Sequence, residues 1–206
     1  METLLNAFAV LIIVIDPIGV AAIFAALSRA HPVPVRRRMA ITATLLAGTI
    51  LLAFFIFGDA LLGLLGITLP AFRIAGGVLL FLLAIDMVVV RQSGLRSTTS
   101  REQLEAEQKA DVSVFPLAFP LIAGPGAITT VLLMSAQTSG ATDSLALMAV
   151  IGLVMALMLV SLLFAAALSH RLGETGANVI SRLMGLLLAA LAMQFILDGL
   201  RVGLMQ

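Results

Sequence analysis

Along most of the chain the apolar residues form long unbroken runs instead of alternating or marking one helical face. Six such runs can be read, at roughly 4–27, 39–57, 74–90, 112–136, 145–168 and 180–197. A helix of about 20 apolar residues spans a bilayer. Most of the runs are near that length, so the pattern predicts an all-α, polytopic integral membrane protein with six transmembrane helices. The first run is interrupted by Asp16-Pro17, and the fourth holds Pro116, Pro120 and Pro125. Those two are expected as broken or re-entrant helices. One long polar stretch, 91–111, reads as a solvated linker between two halves, 1–90 and 112–206, of a single membrane domain covering 1–206.

Composition agrees. The chain is 61% hydrophobic and 11% charged, with a mean hydropathy of +1.17. A soluble domain could not cover so much apolar surface, so lipid must be the solvent for much of it. The formal net charge of +1, without a basic patch among aromatics, argues against a nucleic-acid partner. Cysteine is absent, which removes disulfides and thiolate chemistry. Tryptophan and tyrosine are absent too, leaving Phe and Arg to anchor the helices at the interfaces. The first residues lack the basic region of a cleaved signal peptide, so the first run is expected to be retained.

Charge sets the expected orientation. Arg29 and Arg36 to Arg38 fall in the first loop, and Arg91, Arg96, Arg101 and Lys109 in the third. Arg171 and Arg182 lie at the fifth, which makes ten of the 12 basic residues. The odd loops are therefore expected in the cytoplasm and both termini on the outer side, periplasmic if the membrane is a bacterial inner membrane.

The two halves look duplicated. Pro17 and Pro125 lie 108 residues apart; Arg73 and Arg182, like Gly76 and Gly185, lie 109 apart. Three helices per half would make the second half enter the membrane from the other side. The result is an inverted repeat, the plan of many secondary transporters, with the site where the broken helices meet. Here those are the Asp16-Pro17 and Gly124-Pro125-Gly126 breaks. Helices resuming at Pro17 and Pro125 would aim positive dipole ends into the gap, where a carboxylate could sit. Gly19 loosens the first break, and Thr129 and Thr130 could add hydroxyls beyond the second. Asp16 has no counterpart in the second half. It reads equally as a helix cap or as a group that titrates, holds a cation or meets a substrate amine.

Other polar positions read more simply. Arg73 and Arg182 read first as interfacial arginines, with a gate to Asp86 or Asp198 as the sharper reading. Gly76, Gly77 and Gly185 read as close-packing positions. Gln194 reads as an interhelical bonding group, with a substrate role as the lesser alternative. Asp59, Asp86, Asp198, His31 and His170 are expected in solvent. No metal-ligand spacing, catalytic set or phosphate loop stands out, so neither an enzyme nor a bound cofactor is expected.

"GITLPAFRIAGG" (66–77), "FPLAFPLIAGPGAI" (115–128) and "ISRLMGLLLAALAMQFILDG" (180–199) resemble the MarC family of bacterial inner-membrane proteins, over almost the whole chain. The resemblance implies six membrane helices and transport of neutral amino acids, with a distant likeness to LysE-type exporters. Many members continue the first motif with Asn and then Pro; this chain has Val20 and Ala22 there. The residues and the resemblance together point to a secondary transporter of small solutes such as Gly, Ala or Ser, coupled to H+ or Na+. The alternatives are an ion or metal exporter and a non-transporting membrane protein. A homo-oligomer is compatible with so apolar an exterior.

Overall fold

The computed structural model of the chain describes residues 2–89, 111–136, 138 and 140–204. Every regular element among them is helical. In order they are α1 (Glu2–Ile15), α2 (Pro17–Leu27), α3 (Val33–Leu64), α4 (Leu69–Val89), a wide-turn segment (Ser113–Ile122), α5 (Pro125–Ser135), α6 (Ala141–Leu163) and α7 (Ala165–Leu204). Among the described residues five helical stretches are long and apolar enough to cross a membrane, α1 and α2 together forming one of them. Counting the bent pair Ser113–Ile122 and Pro125–Ser135 as one span makes six.

Local chemistry sets the ends. Pro17 occupies the first turn of α2, where its missing N–H costs nothing. At the end of α3, Gly66 takes φ 66°, its N–H bonds to Gly63 O, and Ile67 N–H reaches back to Leu62 O at 2.9 Å. This left-handed closure satisfies carbonyls that the helix end would otherwise strand. Thr68 then caps α4, accepting a bond from Ala71 N–H.

The helices differ from the expected runs mainly at their ends. α3 begins at Val33, so Arg36, Arg37 and Arg38 lie on its first turns instead of in a loop. α7 begins at Ala165, so the polar stretch expected as a fifth loop is helical, and the apolar span proper is Asn178–Leu204. A helix leaving the bilayer keeps its own backbone bonds and need not stop where the apolar residues do. The expected linker, 91–111, lies outside the described residues except for Asp111. His31, expected in solvent, is half-buried.

The larger departure is the first half of the fourth run. Ser113–Ile122 is not an α-helix. Phe115 (φ −128°, ψ 125°) and Phe119 (φ −135°, ψ 129°) are extended, and the bonds after them, to Pro116 and Pro120, are cis. Proline removes a donor and disfavours the α region in the residue before it. The backbone instead makes wide five-residue closures, from Leu117 N–H to Val112 O and from Ala123 N–H to Ala118 O at 2.9 Å. The axis turns by 56° before α5.

The broken segments hold the centre. In the Leu4–Leu27 span 61% of the apolar window is buried, against 22–33% in the other four spans, and α5 is buried at Gly126, Ala127 and Thr129 to Leu133. α3, α4, α6 and α7 surround them and expose large apolar residues such as Leu45, Phe57, Leu153 and Leu186, as a lipid-facing surface requires. The main interfaces join the first half to the second. α4 packs on α7 most extensively and α3 on α6; α2 packs on α7 as α5 does on α4; α3 packs on the wide-turn segment and α5 as α6 does on α1 and α2.

The α4–α7 seam runs antiparallel and is made by glycine. A Cβ on Gly77 would lie 2.9 Å from Ala192 O, one on Gly185 3.1 Å from Ala84 O, and one on Gly199 3.0 Å from Pro70 O. Without a hydrophobic drive between helices in lipid, such close backbone approach supplies much of the association. Gly77→Val should therefore lower stability in detergent by about 1–3 kcal/mol, the usual cost of overpacking. Gly152→Ala on exposed α6, where a Cβ meets nothing within 4 Å, should leave the melting temperature unchanged or raise it slightly. Thermal unfolding of the two variants checks the contrast.

Candidate functional site

The first break turns on one residue. Asp16 is 2% exposed and is the one described non-glycine residue at positive φ, with φ 48° and ψ 71°. Asn and Asp tolerate this left-handed region better than other side chains. The ladder is bent here without being fully opened. Asp16 N–H still donates to Ile12 O at 2.9 Å, and Asp16 O accepts from Val20 N–H at 3.0 Å. Oδ1 accepts from Gly19 N–H at 3.1 Å, so the carboxylate caps α2. Gly19 is needed here for space, since a Cβ on it would overlap the Asp16 carboxylate.

The second break is built differently. Gly124 caps α5 in extended conformation with no side-chain bond to the helix start, and Pro125 follows at the first turn. A Cβ on Gly124 would strike Pro120 O, so the wide-turn segment folds directly onto the cap. α2 thus starts under a carboxylate, whereas the positive end of α5 has no capping side chain. Thr130, fully buried, donates its hydroxyl to Gly126 O at 2.9 Å and so is occupied within its own helix. Thr129 is 3% exposed and presses its methyl on Gly76 of α4, where no side chain would fit.

The two breaks are neighbours. A Cβ on Gly126 would lie 3.6 Å from Val14 Cγ1, at the end of α1, and 2.5 Å from Leu80 Cδ2 of α4. Val14, Leu83, Pro120 and the Gly124–Ala127 stretch line a void of about 20 Å³ between them. A void of that size holds about one water and no larger solute.

The structure therefore joins Asp16 to Gly19 within the first break, sets Val14, two residues before Asp16, beside Gly126 of the second, and sets Thr129 against Gly76. It does not bring the remaining expected residues to this crossing. Gln194 is exposed and donates to Asp198 at 2.8 Å. Arg73 is half-buried, Arg182 is exposed, and among the described residues neither forms an ion pair with Asp198. Reading by residue type passed over Val14, Leu80 and Leu83. The helical period could have found two of them, because Leu80 and Leu83 follow Gly76 at four and seven residues and share its face.

A helical bundle with apolar spans, a lipid-compatible exterior and backbone irregularity confined to its buried centre defines a polytopic integral membrane protein. The model of the MarC family integral membrane proteins matches residues 1–204, and the chain belongs to that family. The UPF0056 membrane protein YvbG of Bacillus subtilis is 39% identical over 198 residues, covering 96% of this chain and 94% of its own. The UPF0056 membrane protein MJ1677 of Methanocaldococcus jannaschii is 35% identical over 206 residues, covering 100% and 99%. The UPF0056 inner membrane protein YhgN of Escherichia coli is 34% identical over 205 residues, covering 98% of each. No solved structure matches the chain.

The cap makes a graded prediction. Asp16→Asn keeps an acceptor for Gly19 N–H and a side chain that tolerates positive φ, so it should fold with near-native stability. Asp16→Ala loses both and should cost about 1–2 kcal/mol. Gly19→Ala should cost at least as much, because the new methyl displaces the carboxylate. Unfolding of the three variants in one detergent gives the order.

Proposed function

We propose that the chain is a secondary transporter of small neutral amino acids or similar small solutes, built as an inverted repeat of three helices plus three. One observation carries the reading. The uncapped, buried start of α5 lies against the end of α1, one helix junction away from the carboxylate of Asp16. A zwitterion needs an anion site and a cation site a few ångströms apart. The positive end of α5 supplies the first and Asp16 the second.

The pairing of interfaces supports the repeat. α2 on α7 answers α5 on α4, and α6 on α1 and α2 answers α3 on the wide-turn segment and α5. A twofold axis in the membrane plane produces such correspondences. The closed crossing then represents an occluded conformation. Transport would require the central α1–α2 and wide-turn–α5 units to rock against the four outer helices. Glycines where the units touch restrict the substrate to small side chains. Proton or sodium coupling would run through Asp16. The arginine-rich end faces the cytoplasm by the positive-inside rule, and the membrane is the inner one, as the name of the relative YhgN states for that protein.

Reconstitution tests the proposal. Proteoliposomes should show saturable uptake of labelled glycine and alanine, and Asp16→Asn, which keeps the cap, should reduce it at least tenfold. Uptake unchanged in Asp16→Asn would confine Asp16 to its structural role, and no uptake of any small amino acid by folded protein would overturn the substrate class.

Topology has its own test, because the chain lacks cysteine. In whole cells a membrane-impermeant thiol reagent should label a cysteine introduced at Gly140 and not one at Ser97. The reverse result would invert the proposed orientation.

A further inference from the structure

A second cavity, of about 280 Å³, opens at the arginine-rich end of the bundle, where the end of α2, the start of α3 and the α6–α7 junction meet. It is independent of the transport reading. Its mouth lies one α2 length, 11 residues or about 16 Å, from Asp16.

Its lining is chemically divided. Arg36, half-buried, and Arg37, exposed, contribute two guanidinium groups from the first turns of α3. Ser28 at the end of α2 is completely buried and lines the cavity. Its hydroxyl has no hydrogen-bond partner among the described residues. A buried hydroxyl left unsatisfied is costly and calls for a partner, here an atom of a ligand. The remaining wall is apolar, with Phe24 on one side and Leu162 and Phe164 on the other.

We propose that this cavity binds the phosphate of an anionic phospholipid, with Arg36 and Arg37 on the phosphate oxygens and Ser28 donating from below. The start of α3 adds the positive end of a 32-residue helix whose cap, Pro32, offers no side-chain bond. Arginine suits phosphate because its planar fork donates two bonds at once. Two observations favour a lipid over a soluble anion. Apolar side chains form most of the wall, and at the rim Leu163 and Phe164, 41% and 64% exposed, turn toward the bilayer. A headgroup phosphate with its first acyl carbons meets such a wall without loss. A free phosphate would leave it wet. Basic pockets between membrane helices hold anionic headgroups in this way.

Asp111 lies at this end, and its carboxyl is held below its ordinary value. The Ser113 hydroxyl and then the Ser113 backbone N–H lower it most, the N–H bonding to Oδ1 at 2.8 Å, with Arg38 and His31 adding attraction. Arg38 adds to the positive charge around Asp111 and does not line the cavity, so it serves as a control.

The test is binding of phosphatidylglycerol to the full-length protein in neutral detergent, read by native mass spectrometry and by the melting temperature. Wild type should hold one phosphatidylglycerol tightly and melt higher with it. Phosphatidylcholine and inorganic phosphate at equal concentration should do neither. Arg36→Gln with Arg37→Gln should weaken binding at least tenfold, and Ser28→Ala several-fold, both with native helix content by circular dichroism. Arg38→Gln should bind as wild type. Equal binding by wild type and the double variant, an equal loss in Arg38→Gln, or stabilisation by inorganic phosphate alone would overturn the proposal. Should the double variant misfold, Ser28→Ala decides alone, since it removes one atom from the cavity and no charge.

Discussion

Within hydrocarbon a backbone N–H or carbonyl that loses its helical partner cannot turn to water, and each such loss costs several kcal/mol. This chain places prolines at mid-span in two of its segments, and the rest of the architecture follows from how the displaced backbone groups are looked after. At Asp16 the repair is local. A left-handed residue keeps both ladders bonded and lends its carboxylate to Gly19 N–H. Around Pro116, Pro120 and Pro125 the caps Val112 and Gly124 lend no side-chain bond, the backbone closes in wider turns, and most of the segment is buried in protein. Irregular backbone therefore occupies the middle of the bundle, while the four regular helices take the lipid-facing perimeter.

That arrangement explains where small residues are spent. Gly19 makes room for a carboxylate, Gly124 for a proline carbonyl, Gly76 for a threonine methyl, and Gly77 and Gly185 for the opposite backbone of the α4–α7 seam. Each spacing is a close approach, and none but Gly66 needs positive φ. In a medium where apolar side chains gain nothing by leaving lipid, close contact and satisfied polar groups are what remain to hold helices together. The α4–α7 seam is the largest such contact and binds the two halves into one body.

Much of this was legible in the residues. The apolar runs located the spans, because their length answers directly to bilayer thickness, and the prolines marked both irregular segments. The spacing of Pro17 with Pro125 and of Arg73 with Arg182 pointed to two related halves. What the residues did not disclose depends on contacts between distant parts of the chain. Nothing local in 113–122 distinguishes a kinked helix from wide turns, since proline forbids the α ladder without naming its replacement. Gly76 read as a packing glycine without showing that Thr129 fills the space. Ser28 and Arg36 read as loop residues, and only the packing of α2, α3 and the α6–α7 junction makes them walls of one cavity. Gln194 was legible as polar but not as exposed, because its depth depends on where its helix leaves the bilayer.

The pattern of interfaces has a consequence for how the protein is made. Helices of the same half scarcely touch, while α4 finds its principal partner in α7, which leaves the ribosome well after it. The early helices must therefore wait in the bilayer with their glycine faces open until α7 is made. The broken first span, with its buried acid, waits with them. Assembly ends as an interlocking, in which α7 draws the bundle shut. A chain stopped short of α7 would be membrane-inserted and still unassembled, the state that membrane quality-control proteases are suited to remove.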